Sequence, residues 1–270
     1  MPTFQDEREL SLTAAGQDAI DAYNHTIRGY LCMAPDTGDR MKAIFAADPD
    51  MIMAHCLKGY FMMLMAMGGL VPKAQGAAAK AMELAPGATP REALHARAVS
   101  HWANRDLDGA ARVWEEILLD YPHDILAARL AHFGHFYCGD DRRLRDSVNR
   151  ILPYWTENMP GYSYLKGMQA FGFEEFGEYT RAQAAAEKAI ELEPNDPWAT
   201  HAYAHVMEMQ DRQDEGLAWI GLLDEEQRFR AGLGARRDGR PRLDFYDEEG
   251  ETRASLHLDD HGRPKLELDQ

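Results

Sequence analysis

Three stretches of the chain share one pattern. They are Ala74-Gln75-Gly76-Ala77-Ala78-Ala79-Lys80-Ala81-Met82-Glu83-Leu84-Ala85-Pro86, Ala110-Ala111-Arg112-Val113-Trp114-Glu115-Glu116-Ile117-Leu118-Leu119-Asp120-Tyr121-Pro122 and Ala182-Gln183-Ala184-Ala185-Ala186-Glu187-Lys188-Ala189-Ile190-Glu191-Leu192-Glu193-Pro194. Each sets small and apolar residues at helical spacing and ends at a proline, which cannot continue a helix. Pro122 follows Pro86 by 36 residues, and Pro194 follows Pro122 by 72, twice that interval. The period predicts a further copy ending near Asn158, where Pro160 sits.

Outward from these stretches, Asp48-Pro49-Asp50, Ala85-Pro86-Gly87, Tyr121-Pro122-His123, Asn158-Met159-Pro160-Gly161 and Pro194-Asn195-Asp196-Pro197 join a proline to capping or turn residues. That is how helices stop and restart. A helix pair repeated at this length is the tetratricopeptide pattern. Its small, aromatic and proline positions are Ala98, Ala110, Trp114 and Pro122 in one copy, and Ala170, Ala182, Ala186, Ala189 and Pro194 in another. Small residues let paired helices approach closely. The helical texture runs from about Leu10 to about Leu223.

A second texture follows. Arg230-Ala231-Gly232-Leu233 recurs as Arg253-Ala254-Ser255-Leu256, and Asp238-Gly239-Arg240-Pro241-Arg242-Leu243 as His261-Gly262-Arg263-Pro264-Lys265-Leu266, both shifted by 23 residues. Turn signals at Asp238-Gly239, Glu249-Gly250 and His261-Gly262 separate alternating apolar residues. This predicts an antiparallel β-meander. Its apolar face is thin and needs a partner surface: the last helices, or another copy of the chain paired at its edges to give a homodimer. The expected fold is therefore mainly α, a tetratricopeptide-like α-solenoid of five to six antiparallel helix pairs over residues 1–222, with a small C-terminal meander over 223–270.

The chain has 270 residues and a net charge of −16, with 45% apolar and 27% charged residues. A surface this acidic excludes nonspecific nucleic-acid binding and disfavours an anionic membrane. The start, Met1 to Glu7, lacks the basic and apolar regions of a secretory signal. The most apolar run, Met51 to Val71, is interrupted by His55, Lys58 and glycines. It reads as a Met-rich core helix, with an adaptable Met surface as the other reading. Cys32, Cys56 and Cys138 form no CxxC and no disulfide framework, which is the usage of a cytoplasmic protein.

Arg145-Asp146-Ser147-Val148-Asn149-Arg150-Ile151-Leu152-Pro153-Tyr154-Trp155, Ser163-Tyr164-Leu165-Lys166-Gly167 with Phe171-Gly172, and Asp196-Pro197-Trp198-Ala199-Thr200-His201-Ala202-Tyr203-Ala204-His205-Val206-Met207-Glu208-Met209-Gln210 carry a more specific likeness. With His95, Trp114 to Leu118 and His132, they make the first 220 or so residues resemble the tetratricopeptide repeat protein 38 family. The resemblance implies a helical-repeat fold and an intracellular setting, with no assigned activity. After Trp219 the chain departs from it: the 23-residue β repeats stand where the family continues with helices.

Histidines supply the candidate chemistry. His201 and His205 are four apart on one helix, with Glu208 three further on, so all three share a face. Such a face can ligate a metal or pack between helices, and Ala202 removes the general base of an HExxH motif. No metal or cofactor is expected. His95, His132 and His135 fall where tetratricopeptide arrays face their concave groove, and Tyr164 and Tyr203 fall on later inner helices. The Lys and Asn set that clamps a peptide carboxylate in such arrays is absent: Val99, Ala131, Gly167 and Phe171 stand near those positions. Arg142, Arg143, Arg145 and Arg150 read as a solvated face paired with acids. The expected function is a binding or scaffold protein holding a peptide, protein segment or small ligand against His95, His132, His135, Tyr164, His201, Tyr203, His205 and Glu208. The alternative is an enzyme with a His-lined pocket in the groove.

Overall fold

The computed structural model describes residues 2–194, 196–212, 221–223, 229–235, 241–246, 252–258 and 263–268. Asn195, Trp219 and the turn residues Asp238-Gly239, Glu249-Gly250 and His261-Gly262 lie outside the described residues.

The described residues hold eleven α-helices: α1 (Gln17–Leu31), α2 (Thr37–Ala47), α3 (Ile52–Leu64), α4 (Val71–Leu84), α5 (Pro90–Ala103), α6 (Leu107–Asp120), α7 (Ile125–Tyr137), α8 (Asp141–Ile151), α9 (Tyr162–Glu175), α10 (Tyr179–Leu192) and α11 (Pro197–Met209). They pack in sequential pairs, and odd-numbered helices also touch one another, as in α3 with α5 and α9 with α11. This is the expected helical-repeat solenoid, with the odd helices on its inner side.

The starts are written in the sequence. Asp106, Asp124, Asp140 and Asp196 cap α6, α7, α8 and α11 through side-chain oxygens on first-turn amides. Thr89 and Glu92 form a reciprocal capping box on α5. The repeated alanines are buried: Ala74, Ala77, Ala78 and Ala81 on α4, and Ala182, Ala185, Ala186 and Ala189 on α10. The copy expected to end near Asn158 stops earlier. α8 ends at Ile151 and one tight turn follows, Leu152–Tyr154, because Pro153 falls where the helix would continue. Gly161, at φ +100°, then starts α9 in a left-handed conformation that favours glycine.

A short N-terminal hairpin precedes the helices, β1 (Thr3–Gln5) with β2 (Ser11–Thr13). It lies before the region that sequence patterning reads clearly. Glu92 fastens it to α5, accepting from the Thr13 amide at 2.9 Å and the Thr13 hydroxyl at 2.7 Å. Arg91 donates to the Ser11 carbonyl at 3.0 Å.

Five strands, β3 (Gly221–Leu223), β4 (Phe229–Ala235), β5 (Pro241–Tyr246), β6 (Thr252–Leu258) and β7 (Pro264–Leu268), pair antiparallel in sequence order. The register aligns Leu233, Leu243, Leu256 and Leu266 in one cross-strand row and Ala231, Phe245, Ala254 and Leu268 in the next. Half of the 23-residue shift is one strand and its turn, so equivalent positions of the repeat stand in register in the same cross-strand row. No described helix is long and apolar enough to cross a membrane.

Candidate functional site

The inner side of the helical array is closed by residues far apart in sequence. Tyr30, near the end of α1, lies within electrostatic reach of Arg129 on α7. Tyr164 on α9 interacts with Cys32 just after α1. Between α1, α3 and α7 this leaves a cavity of about 660 Å³, within the roughly 300–1,000 Å³ of small-molecule sites. Its walls include Met41, Phe61, Met62, Phe133 and Leu64, and Met33, Met65 and Tyr137 at its edge are exposed. The Met-rich run therefore divides. Met51 and Met53 are core, whereas Met62 and Met65 line the cavity and Met65 is 65% exposed.

Arg129 forms one wall. It is 2% exposed, and its guanidinium lies 4.5 Å from the ring centres of both Phe133 and Trp198. Arg129 and Tyr30 interact through charge and a side-chain hydrogen-bonding contact, but neither the buried Tyr30 hydroxyl nor Arg129 Nε and Nη2 has a hydrogen-bond partner of normal geometry. Burial, the largest effect, lowers the Arg129 pKa, and burial likewise raises that of Tyr30.

The single histidine groove expected from the repeat positions is not assembled. His95 is fully buried in a closed network. Its Nε2 meets Asp124 Oδ2 at 2.9 Å, its Nδ1 meets the Tyr60 hydroxyl at 3.1 Å, and Trp114 Nε1 donates to that hydroxyl at 3.2 Å. Arg91 donates to the same Asp124 oxygen at 2.5 Å. Burial would raise the Asp124 pKa, but His95 and Arg91 hold it well below the usual carboxylate range. His135 points to the α6–α8 side, 2.9 Å from Glu115. Against desolvation, hydrogen bonds from His135, Ser147 and Arg150 bring Glu115 down to about 2. Three of the four arginines of the stretch are paired with acids: Arg143 with Asp140, Arg145 with Asp146 and Glu178, and Arg150 with Glu115; Arg142 engages an acid through its backbone amide, which donates to Asp141.

The structure does bring His132, His201 and His205 into one row with Trp198. Trp198 Nε1 donates to His132 Nε2 at 3.2 Å, which leaves the neutral ring's proton on Nδ1. Burial first, then the Arg129 charge, keeps the His132 pKa well below its ordinary value. The His201 ring stacks on Trp198 at 5.4 Å and lies 4.4 Å from His205. His205 is 3.9 Å from Glu174, whose other oxygen is buried without a partner. Burial, with Glu175 and Glu208 adding to it, raises Glu174 to about 7. Tyr203 on the same helix is buried, Glu208 is exposed, and Tyr164 on α9 is half-buried. Among the described residues no cluster of three or more His, Cys, Asp or Glu could hold a metal ion.

Sequence reading missed Arg129 and Tyr30. The available signal was a single arginine in the helix Ile125–Tyr137, whose other residues are apolar or histidine. Its contact with α1 joins residues almost a hundred positions apart, which no local period encodes.

No family model matches the chain. Among solved structures, one of MamA labelled AMB-1 is 14% identical, covering 62% of this chain and 87% of that one with a TM-score of 0.41. A second MamA crystal structure is 17% identical, covering 56% and 85% with a TM-score of 0.43. A tetratricopeptide repeat protein from Parabacteroides merdae ATCC 43184 is 14% identical, covering 76% and 78% with a TM-score of 0.44. The chain is similar to tetratricopeptide repeat proteins at low identity. The assignment of its fold rests on its own helices, and the likeness says nothing of ligand or partner.

Proposed function

We propose that this is a ligand-binding helical-repeat protein that takes an apolar small molecule or protein segment into the cavity between α1, α3 and α7. The cavity is the observation that supports this most. Thioether and aromatic side chains here surround open space of the size that small-molecule sites have. Exposed Met33 and Met65 at its edge add adaptable contact surface. His132 is one helical turn from Arg129 and Tyr164 interacts with Cys32, and His201, His205 and Glu208 offer a second contact row. The test is binding of the neutral fluorescent probe N-phenyl-1-naphthylamine to the purified chain. Met62→Trp, which fills the cavity, abolishes saturable binding if the reading holds. Unchanged binding in a folded Met62→Trp protein refutes it.

The alternative, an enzyme with a His-lined pocket, has one observation in its favour: the partnerless Glu174 oxygen beside His205. Within the same proposal, the helical part is a divergent member of the tetratricopeptide repeat protein 38 family. The support is the run from Asp196 to Gln210, which supplies the α11 cap, the Trp198 platform and the histidine row. The division at 222/223 and a homodimer through the meander also belong here. Phe245, Leu266 and Leu268 are exposed on that sheet, and sedimentation of the full chain against one truncated after residue 212 tests the homodimer.

A further inference from the structure

We infer that the cavity's ligand is a long-chain monocarboxylic acid, its carboxylate on Arg129 and Tyr30 and its hydrocarbon tail among the methionines. This rests on the reading of the cavity as a ligand site. The first argument is the state of Arg129. A buried guanidinium with two nitrogens, Nε and Nη2, lacking a well-formed hydrogen bond is costly, and stacking on Phe133 and Trp198, with the nearby Tyr30 hydroxyl, compensates it only in part. Asp196 is the carboxylate whose charge it feels most, but no hydrogen bond joins the two, and Asp196 Oδ2 is itself buried without a partner. One of its oxygens accepts from the amides of Trp198 and Ala199, and the other is turned so closely onto Gly167 that a Cβ there would lie 2.5 Å from it. Two partnerless donor nitrogens on a planar fork, with a hydroxyl beside them, match what a carboxylate accepts.

The second argument is charge. The chain carries 45 acidic residues, yet none lines the cavity, where the cations are Arg129 and Lys58. An anion is favoured there in a chain that repels anions elsewhere.

The third is the character of the walls. Away from the head they are Met33, Met41, Phe61, Met62, Leu64 and Phe133. Thioethers adapt to a flexible chain. A bound peptide would bring amide groups, each needing a partner that these walls lack. An acyl chain brings none.

The experiment is displacement of N-phenyl-1-naphthylamine from the full chain by decanoic, dodecanoic and tetradecanoic acids below their micellar concentrations. Dodecan-1-ol, and a leucine-rich tetrapeptide with a free or amidated C-terminus, serve as further competitors. Each added methylene should tighten the acid about fourfold until the cavity is full. Dodecanol should bind about 10- to 100-fold more weakly than dodecanoate, the contribution of charge-assisted hydrogen bonds. Arg129→Gln, checked for folding by circular dichroism, should erase that difference, and Tyr30→Phe, a milder change, should weaken the acid about 3- to 10-fold. Equal competition by acid and alcohol, with both variants behaving as wild type, overturns the head-group assignment and leaves the cavity reading standing. A free-carboxylate peptide that outcompetes dodecanoate overturns the acyl source. If neither probe nor acid binds the folded chain, the cavity reading itself fails, and this inference with it.

Discussion

Replacing Asp124 should cost this protein more stability than any other single change at its core polar network. The carboxylate accepts from Arg91 at 2.5 Å and from His95 at 2.9 Å, and its other oxygen caps α7 through the Ala127 amide at 2.9 Å. Arg91 and Asp124 are each 2% exposed as side chains. Asp124→Ala leaves a buried guanidinium unpaired, which typically costs about 3–5 kcal/mol. The lost cap, worth about 1 kcal/mol, falls partly within that range. A total near 4 kcal/mol is a large share of the roughly 5–15 kcal/mol that holds a domain together. Urea unfolding followed by far-UV circular dichroism and tryptophan fluorescence measures it, with Trp114 reporting on the network directly. Arg91→Met/Asp124→Leu should lose less than Asp124→Ala alone, because no buried charge is stranded. The sign with pH follows from the depressed folded pKa. The contribution is complete above the unfolded carboxylate value near 4 and is lost as pH falls below it. Asp124→Asn should therefore be less acid-sensitive than wild type. A loss below about 1 kcal/mol for Asp124→Ala, against the 3–5 expected of a broken buried pair, would refute the reasoning.

Gly172→Ala should destabilise by about 1–3 kcal/mol, since its Cβ would meet backbone on α8, Arg145 Cα at 2.9 Å and the Leu144 carbonyl at 3.0 Å. Gly76→Ala, with nothing within 4 Å, should instead stabilise α4 by about 0.5–1 kcal/mol, and thermal melts of the two variants give opposite shifts. Glu174, raised to about 7, keeps its proton on folding where the unfolded chain releases it. Stability should fall as pH rises from about 4.5 to about 7 and then level off, and Glu174→Gln should flatten that fall in pH-dependent denaturation. Glu92→Ala removes the acceptor of two Thr13 donors, and limited proteolysis should then cut within the first 13 residues while the helices stay intact.

The legible parts of this structure are those with local causes. Aspartate before an apolar run predicts a cap, and Asp106, Asp124, Asp140 and Asp196 are caps. Evenly spaced alanines predict close helix pairs, and those of α4 and α10 are buried. The 23-residue shift predicts strand register, and Leu243, Leu256 and Leu266 align. Pro153 is as strong a helix breaker as Pro160, and it ends α8 before the point the 36-residue period indicates. The histidines show where local reasoning stops. Position in a repeat gives a helix face, but the face of α5 carrying His95 meets Asp124, a residue of the next pair, and is sealed.

Sequence alone determined the helix-pair architecture, its breaks and the meander, because hydrophobic period, capping and proline act within a few residues of themselves. Tertiary structure alone decided the site. The curvature of the array carries α1 round to α7 and α9, brings Tyr30 against Arg129 with Arg129 Nε and Nη2 short of hydrogen-bond partners at a methionine-walled space, and separates histidines that share repeat positions. Curvature sums small rotations between successive helix pairs, so which distant side chains meet depends on every pair at once and on no single stretch of the chain.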